Sequence, residues 1–237
     1  MQSSEILSGS LLKGLLDFAF PPLCLGCGEY FEQAVAVCHE CLRRIQTYEF
    51  PFCLNCKQMI NDLPECPNCR TDGLILFAFG NYVDPLKQIV VQFKFKGMTQ
   101  TADFVAHRLV DRFRDPIAML EVDALVPIPL HPAREHARGY NQAEIFAQSL
   151  SERLEIPVDM QILVRTRRRR EQARLSDRER ARNISGVFET IADAEPGESL
   201  ILVDDVVTGG YTVMEAKREL VKAGFEVPAV ISMAHGL

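Results

Sequence analysis

The sequence predicts an α/β domain, a mostly parallel sheet flanked by helices, preceded by a small cysteine-rich module. Three observations carry this. All eight cysteines of the 237-residue chain lie in its first 69 residues, in four C-x-x-C pairs. Beyond them, short apolar runs (Leu74–Tyr82, Asp123–Leu130, Leu200–Val203, Glu226–Met233) alternate with stretches of helical apolar spacing, the pattern of strands joined by helices. A hydrophobic content of 47% and a charged content of 24% are ordinary for a soluble globular chain with room for one sizeable core and one small module. Polar, glycine-ended Arg70–Gly73 marks the hinge, which divides the chain into 1–72 and 73–237.

At the amino end, Ile6–Phe20 is apolar but interrupted by Lys13 and Asp17, and no basic segment precedes it. It reads as a short amphipathic helix packed on the protein rather than as a secretion signal. No stretch approaches the ~18 apolar residues of a spanning helix, so no stable membrane insertion is expected.

The cysteine pairs are Cys24/Cys27, Cys38/Cys41, Cys53/Cys56 and Cys66/Cys69. Two thiolates at this spacing curl round one metal, and two such knuckles complete a tetrahedral sulfur shell. Four knuckles therefore predict two structural zinc ions. Disulfides need an oxidising compartment, which no secretion signal supports. A redox pair occurs once at a helix start, not four times in series. Pairing first with second and third with fourth is simplest, and an interleaved arrangement stays open. His39 lies inside a knuckle, but eight thiolates already fill two shells. A closed shell has no open coordination position, so the module is a structural or binding element.

Leu74–Tyr82 is expected to be the first strand of the larger domain. A helix follows from Asp84, with Pro85 at its first position, ending at Lys94-Phe-Lys96-Gly97. Thr101–Phe113 reads as a second helix with Phe104, Leu109 and Phe113 on or near one face. Asp123–Leu130 is a short buried strand breaking into a proline-rich turn. The loop Arg134–Gln142 comes next, then a helix to about Leu154. Arg134 and Arg138 suit a pyrophosphate, and Gly139 lets backbone approach it. His131 and His136 read as exposed loop residues.

Leu200-Ile-Leu-Val-Asp-Asp-Val-Val-Thr-Gly-Gly-Tyr-Thr212 organises the rest. A buried strand runs into two acids and a Thr/Gly turn, and a helix ending at Gly224 follows. Backbone N–H groups at such a helix start attract phosphate. Acids at the carboxyl end of a strand lie where open α/β sheets bind ligands. Two carboxylates would repel bare phosphate but accept hydrogen bonds from vicinal hydroxyls, so a ribose 5-phosphate unit satisfies both halves. The stretch resembles the phosphoribosyl pyrophosphate (PRPP) signature of type I phosphoribosyltransferases.

Four cysteine knuckles, Phe93-Lys-Phe-Lys-Gly97, Val126-Pro-Ile-Pro-Leu130, Arg138-Gly-Tyr-Asn-Gln142 and the Asp204-Asp205 signature together resemble the ComF/GntX family. The resemblance implies a type I phosphoribosyltransferase fold. It also implies a role in natural competence or in use of DNA as nutrient, with processing of incoming single-stranded DNA in the bacterial cytoplasm. Other DNA-uptake proteins are implied partners. The PRPP site it implies comprises Asp204, Asp205, Val206, Val207, Thr208, Gly209, Gly210, Tyr211 and Thr212, with Pro127, Arg138 and Gly139 on the pyrophosphate side. Mg²⁺ would accompany PRPP, and Asp204 and Asp205 are the candidate catalytic residues. Purine-salvage relatives often carry an acid four residues after the first signature acid. This chain has Thr208 there, so the acceptor of the ribosyl group is open.

The net charge of −6 excludes indiscriminate nucleic-acid binding by the whole surface. Arg165–Arg182 nevertheless holds nine arginines against three acids, a local +6. Three readings stay open: a solvated face, a hood closing over PRPP, or a nucleic-acid site. Lys94, Lys96, Arg167, Arg168, Arg169, Arg170 and Arg182 are the nucleic-acid candidates. Stacking would come from Tyr140, Tyr211 or the zinc module.

Overall fold

A computed structural model describes residues 23–31, 37–61, 65–70, 72–96, 100–166, 186–191, 195 and 197–236. The expected amino-terminal helix and Arg167, Arg168, Arg169, Arg170 and Arg182 lie outside these residues. In chain order the elements are α1 (His39–Arg44), β1 (Phe52–Cys53), β2 (Ile75–Asn81), α2 (Leu86–Lys96), α3 (Gln100–Ala118), β3 (Ala124–Pro127), α4 (Pro132–Arg138), α5 (Gln142–Leu154), β4 (Leu163–Arg165), β5 (Phe188–Thr190), β6 (Ser199–Val207), α6 (Tyr211–Lys222) and β7 (Glu226–His235).

The main sheet has the order β1-β2-β7-β6-β3, and only the β1–β2 pair is antiparallel. This is the mostly parallel sheet the sequence predicts. Central strands buried on both faces read as continuous apolar runs, and Leu200, Ile201, Leu202 and Val203 have no exposed surface. Alternation sorts them between two cores. Phe77, Ile201, Val203, Ile231 and Met233 pack under α2, α3 and α5. Leu76, Leu200, Leu202 and Val230 face α6 and the β4–β5 hairpin. The chain crosses between faces round the β3 edge, where Leu125 donates to Pro157 O at 2.8 Å and Asp159 donates to Leu125 O at 3.0 Å. Those bonds close an otherwise open strand edge.

The cysteine module is not merely appended. Cys53 belongs to β1, in register with Ile75 of β2, so the module extends the sheet. Behind it, the buried Lys217 of α6 donates to Gly73 O at 2.7 Å, tying the segment that enters β2 to α6.

Three local expectations are corrected. Residues 132–138 form a short helix rather than a loop, because His131 caps it through Nδ1, accepting from Ala133 N at 3.1 Å, and Pro132 stands at its first turn. His131 is therefore a half-buried cap, whereas His136 is exposed as expected. Helix α2 starts at Leu86, with Pro85 just before it in a cis peptide bond with Asp84. Strand β6 continues through Asp204 and Asp205 to Val207, because the ten-residue β7 pairs with it as far as His235. Among the described residues, no helix is long and apolar enough to cross a membrane.

Candidate metal centres and phosphate-binding site

Three of the knuckles close on a short backbone bond from the residue four after the first cysteine. Gly28 donates to Cys24 O, Lys57 to Cys53 O and Arg70 to Cys66 O, all at 2.8 Å, and all three donors adopt positive φ. The second knuckle instead runs straight into α1, with Cys38 as its N-cap. These turns aim the thiols inward. Cys24, Cys27, Cys38 and Cys41 form one quartet and Cys53, Cys56, Cys66 and Cys69 another, their sulfurs all within 4.8 Å of one another. The pairing is thus sequential.

The Cys27–Cys38 and Cys56–Cys66 Sγ separations are 4.0 Å and 3.6 Å. A tetrahedron of zinc–sulfur bonds of ~2.3 Å has edges of ~3.8 Å, so zinc fits both quartets. Burial opposes ionisation of Cys24, but N–H groups of Cys38, Cys27 and Gly26 outweigh it and bring the thiol down to about 6. Burial and neighbouring thiols push Cys41 up instead, and Cys69 up to about 12. Four thiols crowd one site and compete for negative charge until a dication neutralises them. His39 is exposed and lies outside the quartet.

The acid pair sits where the sheet changes neighbours. Strand β3 pairs with β6 only as far as Pro127 opposite Val203, after which Ile128 donates to Val203 O at 2.8 Å and its chain turns away. Asp204 and Asp205 follow at once, where among the described residues β6 pairs with β7 alone. Asp204 Oδ1 accepts from Asp205 N at 2.8 Å. Lys94, in the last turn of α2, lies 3.0 Å from Asp205 Oδ1. Burial first, then the Asp205 charge, push the Asp204 carboxyl up to about 7, against the opposing pull of Lys94, the Asp205 N–H and Arg165.

Past Val207, Thr208–Gly210 form a tight loop into α6. Gly210 adopts φ 74°, a left-handed conformation that favours glycine, and offers no side-chain cap to the helix. The first turn of α6 contains no acid, so its N–H groups and dipole face the loop without a resident anion. A Cβ on Gly209 would come within 2.7 Å of the Tyr211 ring, so no side chain fits there without displacing that ring.

A second loop is pinned beside the acids. Arg138 donates to Gln142 Oε1 at 2.8 Å and stacks over the Phe95 ring at 5.4 Å. Gly139 ends α4 at φ 83°, with open space beside its α-carbon. Tyr140 Oη donates to Phe93 O at 2.7 Å, with Lys94 O at 3.2 Å. The Asn141 side chain donates to Ile128 O and caps α5. The end of α4 and the residues after it thus grip the helix end that sends Lys94 to Asp205. The Tyr140 hydroxyl is occupied in this grip.

Sequence reasoning grouped Lys94 with nucleic-acid contacts; the structure puts it on the acid pair. Lys96 ends α2. Arg165, read as the start of the basic run, lies on β4 over the Phe188 ring at 5.5 Å, and its charge reaches Asp204. Neither relationship has a local signal. His235 was also missed. It ends β7, contacts Tyr48 Oη through Nδ1 at 3.2 Å, and meets the Phe52 ring edge-on at 4.8 Å. Burial and the Lys57 charge lower its pKa, against a backbone hydrogen bond with Thr208 that raises it. Tyr48 also donates to Asn81.

Residues 15–71 match the double zinc ribbon domain family. Competence protein F of Haemophilus influenzae is 30% identical over 209 residues, covering 84% of this chain and 90% of that protein. Competence protein ComFC of Bacillus subtilis is 28% identical over 226 residues, covering 85% and 90%. DNA utilization protein YhgH of Escherichia coli is 32% identical over 152 residues, covering 63% and 66%. Among solved structures, adenine phosphoribosyltransferase from Leishmania tarentolae is similar over 60% of either chain, with 15% identity and a TM-score of 0.36.

Proposed function

The chain belongs to the ComF family, and from that premise we propose that it binds PRPP in the service of DNA uptake or DNA utilisation. The observation that carries this is the adjacency of Asp204–Asp205 to an uncapped helix N-terminus across the three-residue loop Thr208–Gly210. The acids accept hydrogen bonds from the ribose hydroxyls. Backbone from Val206 to Thr212 receives the 5-phosphate. Arg138 and Gly139, at the end of α4 downstream of Pro127, receive the pyrophosphate.

Two adjacent carboxylates are hard oxygen donors of the kind Mg²⁺ takes with phosphate ligands, so Asp204 and Asp205 are the residues that would hold it. Bound with PRPP, Mg²⁺ supplies charge neutralisation for the leaving pyrophosphate. The chain's own part is positioning and electrostatic stabilisation. The bond from ribose C1 to pyrophosphate breaks with its electron pair leaving on pyrophosphate oxygen. A lone pair of the acceptor forms the new bond to C1. Single-stranded DNA is assigned to the basic residues Lys96, Arg167–Arg170 and Arg182, with Lys94 engaged at Asp205 instead, and the protein to the cytoplasm with two structural zincs.

A second reading has a specific observation in its favour. Thr208, exposed at the loop, stands where an acid would handle a base, which fits a PRPP-responsive binding protein that transfers nothing. Calorimetry with PRPP and Mg²⁺, followed by pyrophosphate release across a panel of bases and nucleosides, separates the two. Binding with release supports transfer, and binding without release supports the sensor. Affinity unchanged in the Asp204→Ala, Asp205→Ala double variant overturns the site.

A further inference from the structure

Resting on the PRPP reading, we propose that Lys94 is an internal counter-ion that changes partners, holding Asp205 in the empty site and passing to the ligand's pyrophosphate on binding. Four observations place it for that role. The Lys94–Asp205 contact is 3.0 Å, and both side chains are largely shielded, at 20% and 14% exposure. Lys94 belongs to the last turn of α2, where the negative end of the helix dipole favours a cation. Its backbone carbonyl and that of Phe93 face Tyr140 Oη, so the helix end is anchored through its backbone and the side chain takes no part in that anchor. The next residue, Phe95, lies beneath Arg138, so Lys94 neighbours the loop assigned to pyrophosphate.

Two adjacent carboxylates in a shielded site repel each other, and a cation between sheet and helix relieves that repulsion. Once hydroxyls and a divalent cation engage the acids, the relief is supplied from outside. The ammonium then faces an entering polyanion a few ångströms away. An arginine would hold its carboxylate as a rigid fork; a lysine gives a compact point charge that redirects by rotating its stem. Lys94 is thus a specificity residue: it favours ligands that bring a pyrophosphate over those that bring only the sugar phosphate.

The test compares PRPP with ribose 5-phosphate, each with Mg²⁺, by calorimetry on the full chain and on Lys94→Met and Lys94→Arg variants. Zinc content and thermal midpoint report folding. The expected result is a loss of PRPP affinity of tenfold or more in Lys94→Met, with ribose 5-phosphate affinity unchanged or raised, and a PRPP preference only partly recovered in Lys94→Arg, whose fork stays on Asp205. Equal losses for both ligands, or no loss for PRPP, overturn the exchange. A wild-type chain that binds neither ligand overturns the ligand assignment, and the exchange with it, and is distinct from a wild type that binds both without the variant's selective loss.

Discussion

Leu54, the residue after the zinc-ligand candidate Cys53, packs against Gly210 of the phosphate loop: a Cβ on Gly210 would lie 3.6 Å from Leu54 Cδ1. The same short segment sends Phe52 onto His235, whose partner across the sheet is Val207. The metal module therefore buttresses the loop from one side. Metal analysis is expected to find two zincs per chain. Chelation should lower the thermal midpoint and weaken PRPP binding together, because structural zinc contributes directly to folding. Leu54→Ala tests the contact with the metal in place. It should lower PRPP affinity several-fold at unchanged zinc content, as read by calorimetry and metal analysis. Unchanged affinity would show the loop to be independent of the module.

The acid pair sets a pH dependence whose sign follows from its surroundings. Asp204 titrates at about 7 instead of the usual 3.8, mainly through burial and the Asp205 charge. A carboxyl raised in the folded state contributes stability that is complete below its unfolded value of 3.8 and is lost as pH rises through about 7. Ligand hydroxyls and a divalent cation need the ionised form, so PRPP binding should strengthen as pH rises from 6 toward 8 and then level off. Binding should release a proton below pH 7, seen as a buffer-dependent binding enthalpy. In Asp204→Asn the protein should gain stability near pH 8, and the affinity profile should lose this step.

How much of this was legible depended on sequence distance. The quartets were readable because each knuckle is local, and the structure settles their sequential pairing through the Cys27–Cys38 and Cys56–Cys66 approaches. The acid pair and its loop were readable because thirteen contiguous residues carry them. Lys94 was not, since its approach to Asp205 depends on the sheet order, which brings the end of α2 over β6. Helix α4 was missed because Pro129, Pro132 and Gly139 all read as turn punctuation. Pro132 in fact opens a helix that His131 caps. Extension of β6 past the acids depends on the length of β7, which no pattern within β6 reveals.

The basic run gives a prediction that rests on sequence. Replacing Arg167–Arg170 with alanine removes four charges from a stretch of +6. Single-stranded DNA affinity should fall, and so should the slope of its logarithm against the logarithm of salt concentration, in proportion to the lost phosphate contacts. Fluorescence anisotropy with labelled oligonucleotides at several salt concentrations measures both. An unaltered slope would return the run to a solvated surface.

Tyr140 should matter through one oxygen. Its hydroxyl bonds the last carbonyls of α2, Phe93 O at 2.7 Å and Lys94 O at 3.2 Å, groups that a helix end otherwise leaves to water. Tyr140→Phe keeps the ring and deletes the bond, a loss of about 1 kcal/mol in stability. The local consequence should exceed the global one, because the same oxygen fixes the helix end from which Lys94 reaches Asp205. PRPP affinity should fall several-fold while the thermal midpoint moves by only a few degrees. Calorimetry and thermal denaturation of the variant decide it. A purely structural tyrosine would lower the midpoint and leave affinity intact, whereas a tyrosine that positions Lys94 would lower PRPP affinity and spare that of ribose 5-phosphate.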